Sequence, residues 1–263
     1  MHDIQFIDDN KAAAELATRL QDATYLAVDT EFVRERTYYP RPCLLQLAWE
    51  DHIACIDVIA LGLPEPIQAL LTRPETTKVF HAARQDLELF HVMCGTVPAP
   101  VFDTQIAAAM LGFPEQCGYG PAVERILGRK LEKGHARTDW SKRPLSDKQL
   151  QYAADDVRYL VPLYQQLLEK LESSGRSEWP VDDFAALVDP VLYTPDPATA
   201  YRRIKSWKRF RGMDLARLQA LAAWREEEAI KRDKPRKWIL ADDALLELVR
   251  RHPGTEDDLG SLD

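Results

Sequence analysis

Two acids, Asp29 and Glu31, sit inside the otherwise apolar run YLAVDTEFV (Tyr25–Val33). Read as a β-strand, this run points both side chains to the same face, because they are two residues apart. An ionised carboxylate taken out of water without a partner costs on the order of several kcal/mol. The run contains no lysine or arginine to offset that cost. The plain alternative is a pair of solvated acids at a strand end. The neighbours Leu26, Ala27, Val28, Phe32 and Val33 argue against it. The strand is therefore expected in a core, with its acids neutralised by something the strand itself lacks.

More acids stand in apolar surroundings downstream. Asp86 lies in VFHAARQDLELF, early in an expected helix that follows a strand. Alone it reads as a first-turn acid favoured by the helix dipole. His81, in the turn before it, reads alone as a hydrogen-bonded structural histidine. In QYAADDVRYL, Tyr152 and Asp156 are four apart and share a helix face. Asp155 is a rival, and helical phase separates the two. Asp156 is in register with Ala153, Leu160, Leu163 and Leu167, whereas Asp155 lies nearer Tyr159 and Pro162. Asp156 is therefore assigned to the interior and Asp155 to the edge. Tyr152 reads either as a core aromatic or as a phenol that aims a water. With an ordinary pKa of about 10, it is a poor base by itself. Divalent cations would neutralise such a carboxylate set, and oxygen-only ligation suits Mg²⁺ or Mn²⁺. Two hard cations held by carboxylates is a site type that displaces phosphate esters.

The net charge of −8 looks wrong for a nucleic-acid partner, but it is unevenly spread. Residues 1–200 carry 19 Lys+Arg against 30 Asp+Glu, and residues 201–263 carry 15 against 12. YRRIKSWKRFRG (201–212) has six basic residues and no acid, interleaved with Tyr201, Trp207 and Phe210. This pattern fits phosphate contact with base stacking, and equally a solvated linker helix. Cys43, Cys55, Cys94 and Cys117 form no C-x-x-C pair and read as reduced thiols of a cytoplasmic protein. MHDIQFIDDN shows no secretory signal, and no apolar run is long enough to cross a bilayer.

Tyr25–Val33, Cys43–Trp49 and His52–Val58 read as successive strands, the last two joined antiparallel by a tight turn at Glu50-Asp51. Helix is expected over Leu63–Leu71, strand over Thr77–Phe80, and helix from about Ala83 to Met93. Val101-Phe102 is a short fifth strand, with helices after it and over Gly118–Leu127. Gly128–Arg143 is polar and irregular, a candidate mobile loop. Ser146 is placed to cap the helix of Tyr152. The class is α/β with a mixed sheet. In the tail, Asp214 and Asp242 each suit the cap of an amphipathic helix, and two such helices make a small unit that reads as incomplete.

DTEF, HAARQDLELF and YAADD, in that order, resemble the three motifs of the DEDD exonuclease superfamily, and Y-x-x-x-D marks its DEDDy branch. RPCLLQLAW, FDTQIAAAMLG and RTDWSKRPLSDKQLQYAADD bring the resemblance closer to the ribonuclease D family over roughly residues 4–212. The remaining tail is similar to the start of an HRDC domain. The resemblance implies a ribonuclease H-like fold: a five-stranded mixed sheet flanked by helices, followed by a small helical segment. It divides the chain into an exonuclease domain (1–200), a basic linker (201–212) and a partial HRDC-like segment (213–263).

The resemblance also implies roles. Asp29 would touch two metal ions, Mg²⁺ or Mn²⁺. Glu31 and Asp156 would complete the first ion's shell, Asp86 would hold the second, and Tyr152 would orient the nucleophile. Phe32, Gln46, His81 and Arg143 become substrate-binding candidates. The implied activity is 3′→5′ removal of nucleoside 5′-monophosphates from RNA, such as tRNA precursors and other small structured RNAs, by a cytoplasmic monomer with no membrane partner. Rival readings are a DNA-directed 3′→5′ exonuclease, which uses the same five residues, and a non-catalytic RNA-binding scaffold. A scaffold would be expected to have lost a carboxylate, and none is missing here.

Overall fold

The computed structural model describes residues 4–131, 138–253 and 255. The chain forms two compact units, residues 1–33 with 41–193 and residues 34–40 with 194–263.

The first unit is built on a six-stranded sheet. Its strands are β1 (Ile4–Ile7), β2 (Tyr25–Val33), β3 (Arg41–Trp49), β4 (His52–Ile56), β5 (Thr77–Phe80) and β6 (Val101–Asp103). They lie in the order β1-β4-β3-β2-β5-β6. The β2–β3 and β3–β4 pairs are antiparallel and the others parallel, so the sheet is mixed. Five strands were expected. The sixth is β1, a four-residue edge strand whose Gln5 and acidic flank conceal it in the sequence. It is held in place by parallel pairing with β4, about fifty residues later in the chain.

The helices of this unit are α1 (Asn10–Arg19), α2 (Val58–Leu61), α3 (Glu65–Leu71), α4 (Arg84–Cys94), α5 (Thr104–Met110), α6 (Tyr119–Leu127), α7 (Asp147–Arg158), α8 (Leu160–Ser173) and α9 (Val181–Leu187). Strand alternation sorts the core into two layers. Leu26, Val28, Leu45, Leu47, Ala54 and Ile56 pack with Leu16 of α1, Ile67 of α3 and Leu87 of α4. Ala27, Ala48, Ile53 and Val79 pack with Ala107 of α5, Ala122 of α6, Val157 of α7 and Leu163 of α8. The four cysteines are free thiols. Burial pushes the pKa of Cys43 up to about 11 and that of Cys55 to about 12, so neither is a ready metal ligand.

In the second unit α10 (Gly212–Arg232) packs with α12 (Asp242–Arg251), and α11 (Arg236–Ile239) lies between them in sequence. Its core is Ala200, Tyr201, Ile204, Leu218, Ala222, Leu245 and Val249. The structure corrects the division at 200 and the basic linker. Tyr201 and Ile204 are buried, Trp207 and Phe210 pack on that core, and Tyr201 meets Trp207 edge-on at 5.3 Å. The run is neither a linker helix nor a row of free stacking platforms. Its aromatics are core, and its basic side chains occupy the intervening surface positions. Asp214 and Asp242 lie in the first turns of their helices and are not the caps.

Residues 34–40, which connect β2 to β3, belong to this unit. The Tyr38 hydroxyl donates to Glu226 Oε1 (2.5 Å), and the backbone N–H groups of Tyr38 and Tyr39 donate to Asp233 Oδ1 (3.0 and 3.2 Å).

Candidate active site

β2 runs between β3 and β5 and carries Asp29 and Glu31 on the face covered by α7. A bulge after Glu31 ends the regular pleat. Phe32, next in the chain, is half-buried there. α7 begins with a capping box, in which the Ser146 side chain accepts from the Gln149 N–H and the Gln149 side chain reaches back. That start fixes the helix phase and turns Asp156 onto the sheet. Ligand oxygens of Asp29, Glu31 and Asp156 lie within 4.8 Å of one another. Asp155 turns away, accepting from Arg158 Nη1 (2.5 Å) and Gln151 Nε2 (3.0 Å).

Asp86 reaches the same end of the sheet from its other side. It is buried in the first turn of α4 and accepts from Thr30 Oγ1 at 2.5 Å. The entry to α4 is a tight bend, with Ala82 in the left-handed region at φ 60°. Asp103, at the end of β6, holds that bend by accepting from the N–H groups of Ala82 (3.1 Å) and Ala83 (2.8 Å), and it also caps α5. Sequence reasoning missed Asp103. Its signal was an acid at a strand-to-helix junction.

Among the described residues, no ion pair reaches Asp29, Glu31, Asp86 or Asp156. The electrostatic result is uniform. Loss of water, then repulsion from Asp86, Asp156 and Glu31, pushes the Asp29 carboxyl well above its usual range. Burial, then Asp156 and Asp86, raises Glu31 to about 9. Burial raises Asp86 and Asp156 to about 7 each, against hydrogen bonds from Thr30 and Tyr152 that lower them. Burial and the neighbouring carboxylates also raise the Tyr152 phenol, so it stays protonated and bonds Asp156 as a donor.

A pH dependence follows. Glu31, Asp86 and Asp156 lose their protons near pH 4 in the unfolded chain and only near 7–9 when folded. Between those values the folded state binds more protons, so stability falls as pH rises. Each group contributes about 1.4 kcal/mol per pH unit while it alone holds its proton. Thermal melts in chelator should show a midpoint that drops from pH 5 to pH 9. A flat or rising midpoint would show that the cluster is not strained by its own charge.

Two substrate-binding candidates are spoken for. His81 Nδ1 bonds Thr104 Oγ1 and Nε2 bonds the Cys117 carbonyl, both at 2.9 Å, and burial lowers its pKa. Arg143 is a structural clamp. Nε and Nη2 bond the Asp57 carboxylate (2.6 and 2.8 Å), Nη2 also bonds the Cys43 carbonyl, and Nη1 bonds the carbonyls of Trp140 and Lys142. All five donors are used. The clamp places Trp140, whose ring packs on Tyr152 with centroids 6.0 Å apart. Gln46 is fully buried opposite Asp29. Of the expected mobile loop 128–143, residues 132–137, including Lys133 and Arg137, lie outside the described residues.

Three carboxylates with converging oxygens and a fourth behind them, with no cationic side chain among their partners in the described residues, form a hard-oxygen set suited to a divalent metal. Comparison with known proteins agrees. Residues 4–172 match a 3′-5′ exonuclease family model, and residues 214–263 match the HRDC domain. The chain is 46% identical to a ribonuclease D of Gluconacetobacter diazotrophicus over 93% of its own length and 62% of the relative's. It superposes on Escherichia coli RNase D, an exoribonuclease involved in structured RNA processing, with a TM-score of 0.91 and 37% identity, covering 99% of this chain and 69% of that one. Brucella melitensis NrnC with bound Mg²⁺ is similar at TM-score 0.59 and 27% identity, over 72% of this chain and 91% of that one. The chain spans 62–66% of the length of the first curated relatives it matches. On motif order, fold and relatives together, the chain belongs to the ribonuclease D family.

Proposed function

We propose that the chain is a metal-dependent 3′→5′ exoribonuclease that releases nucleoside 5′-monophosphates. The convergence of Asp29, Glu31 and Asp156 oxygens within 4.8 Å carries this reading. Asp29, Glu31 and Asp156 would hold one cation, and Asp29 with Asp86 a second; Mg²⁺ or Mn²⁺ fits the donors. Such ions supply Lewis-acid activation of water and charge stabilisation at the leaving oxygen. Tyr152, protonated and hydrogen-bonded to Asp156, orients the attacking water through its own oxygen. Trp140 and the Arg143–Asp57 clamp keep that phenol in place.

The likeness to E. coli RNase D, an exoribonuclease involved in structured RNA processing, favours structured RNAs as substrates; tRNA precursors acted on in the cytoplasm are the substrates we propose. Among the described residues, no helix is long and apolar enough to cross a membrane. The test is purified protein with Mg²⁺ or Mn²⁺ on 3′- and 5′-labelled RNA and DNA of matched sequence. Stepwise shortening from the 3′ end with RNA preferred is expected. Equal or faster loss of DNA would favour the DNA-directed reading, and no cleavage would favour a binding scaffold.

Chelation should abolish hydrolysis without unfolding the first unit. The sheet is packed on both faces by apolar layers that do not depend on the carboxylates. Raised pKa values also let the empty cluster take up protons near neutrality. Far-UV circular dichroism at room temperature should be unchanged by EDTA. Its collapse would show that the cation is structural.

A further inference from the structure

Gln46 is fully buried, and among the described residues neither Nε2 nor Oε1 of its side chain has a hydrogen-bond partner. It sits in the middle of β3, directly opposite Asp29 on β2 and Cys55 on β4. Opposed residues of neighbouring strands project to the same face. The amide therefore stands on the face that carries Asp29 and Glu31, beneath α7. Leaving a buried amide unpaired destabilises the fold. An apolar residue of the same length would avoid that cost, and Leu44 and Ala48 on either side show that the position suits one.

A carboxylate that ligates one or two cations keeps lone pairs of its own that need a hydrogen-bond donor. Asp29 has a backbone hydrogen bond from Thr30 and, among the described residues, no ion pair. Gln46 offers an uncommitted amide N–H directly across the strand pair.

We propose that Gln46 is a positioning residue for the metal centre: its amide Nε2 donates to the Asp29 carboxylate in the loaded site and fixes how that carboxylate faces the cation. The proposal rests on the metal-dependent reading above, and it differs from a substrate-binding role for Gln46. On this proposal the amide is satisfied with the cation bound and left unsatisfied when a chelator removes it.

That asymmetry makes the test specific. Gln46→Met, close in length and apolar, should melt higher than the wild type in chelator, because an orphaned amide is gone. The same variant should bind Mn²⁺, titrated calorimetrically without RNA, about 10–100-fold more weakly, the usual loss for an outer-shell partner. With subsaturating metal, kcat should fall while KM for RNA holds. Gln46→Leu serves as a second variant should methionine pack poorly.

Unchanged Mn²⁺ affinity in a folded variant would overturn the proposal, and so would a lower melting point in chelator for both variants, which would mean that the amide is bonded within the fold. A rise in KM alone would return Gln46 to the substrate. Wild-type protein that fails to bind Mn²⁺ would overturn the metal-dependent reading itself, and this proposal with it.

Discussion

Asp29→Asn and Asp156→Asn are each expected to lower turnover by about a thousandfold or more and to leave the first unit at least as stable as before. The rate loss follows from the Lewis-acid contribution of the cations, worth several kcal/mol, at about 1.4 kcal/mol per factor of ten. The stability outcome follows from the crowding. Each carboxyl is raised by burial, and the charge of Asp156 also raises Asp29 and Glu31. Removing one charge relieves the others, so the melting point in chelator should hold or rise at pH 8.

Asp155→Asn is the control. Its carboxylate meets Arg158 and Gln151 at a partly exposed edge, where an ion pair is worth roughly 0–1 kcal/mol. It should keep most activity. If Asp155→Asn proved inactive and Asp156→Asn active, the site would have been placed on the wrong face of α7. If Asp29→Asn unfolded the protein, the acids would be structural.

Asp29 and Glu31 could be read in the sequence because each is costly in its own neighbourhood, whereas Asp86 alone reads as an ordinary first-turn acid. A carboxylate among Leu26, Val28 and Phe32 is conspicuous without any knowledge of the fold. The phase of α7 was legible for a similar reason, since Ala153, Leu160 and Leu163 lie on one stripe. What could not be read depends on partners far away in the chain. Arg143 looks like any basic residue in a polar loop. Only the fold brings it to Asp57, 86 residues earlier, and uses every donor it has. His81 is tied down by Thr104 and Cys117, and β1 exists only because β4 pairs with it. The basic run 201–212 misleads for the opposite reason. Its charges are visible in the sequence, but the burial of Tyr201 and Ile204 between them depends on α10 and α12.

Glu226→Ala is expected to unfold the second unit. Glu226 is 1% exposed on α10 and accepts from the Tyr38 hydroxyl (2.5 Å) and Arg203 (2.8 Å), with Arg236 at 2.9 Å. Deleting one member of a buried ionic group costs about 3–5 kcal/mol. Arg203 and Arg236 are partly exposed and can turn to water, which favours the lower end of that range. The Tyr38 phenol cannot turn out as easily. It is buried, its pKa is raised to about 12, and it would be left a donor without an acceptor. Among the described residues, the apolar cluster at the centre of this unit has seven buried members, which leaves little reserve against such a loss. Hydrogen exchange should show protection lost across 194–253 and, in the same variant, across 34–40. Glu226→Gln, which keeps an acceptor for Tyr38, should lose less. Protection that survives Glu226→Ala in 34–40 would mean that this segment is held by its own turn and not by α10. The same geometry bears on any truncation after residue 212. It would remove Glu226 and Asp233 together and leave the connection between β2 and β3 without the partners that fold it. A loss of RNA affinity in such a truncation would then reflect a disordered segment next to β2 as much as a missing RNA-binding surface.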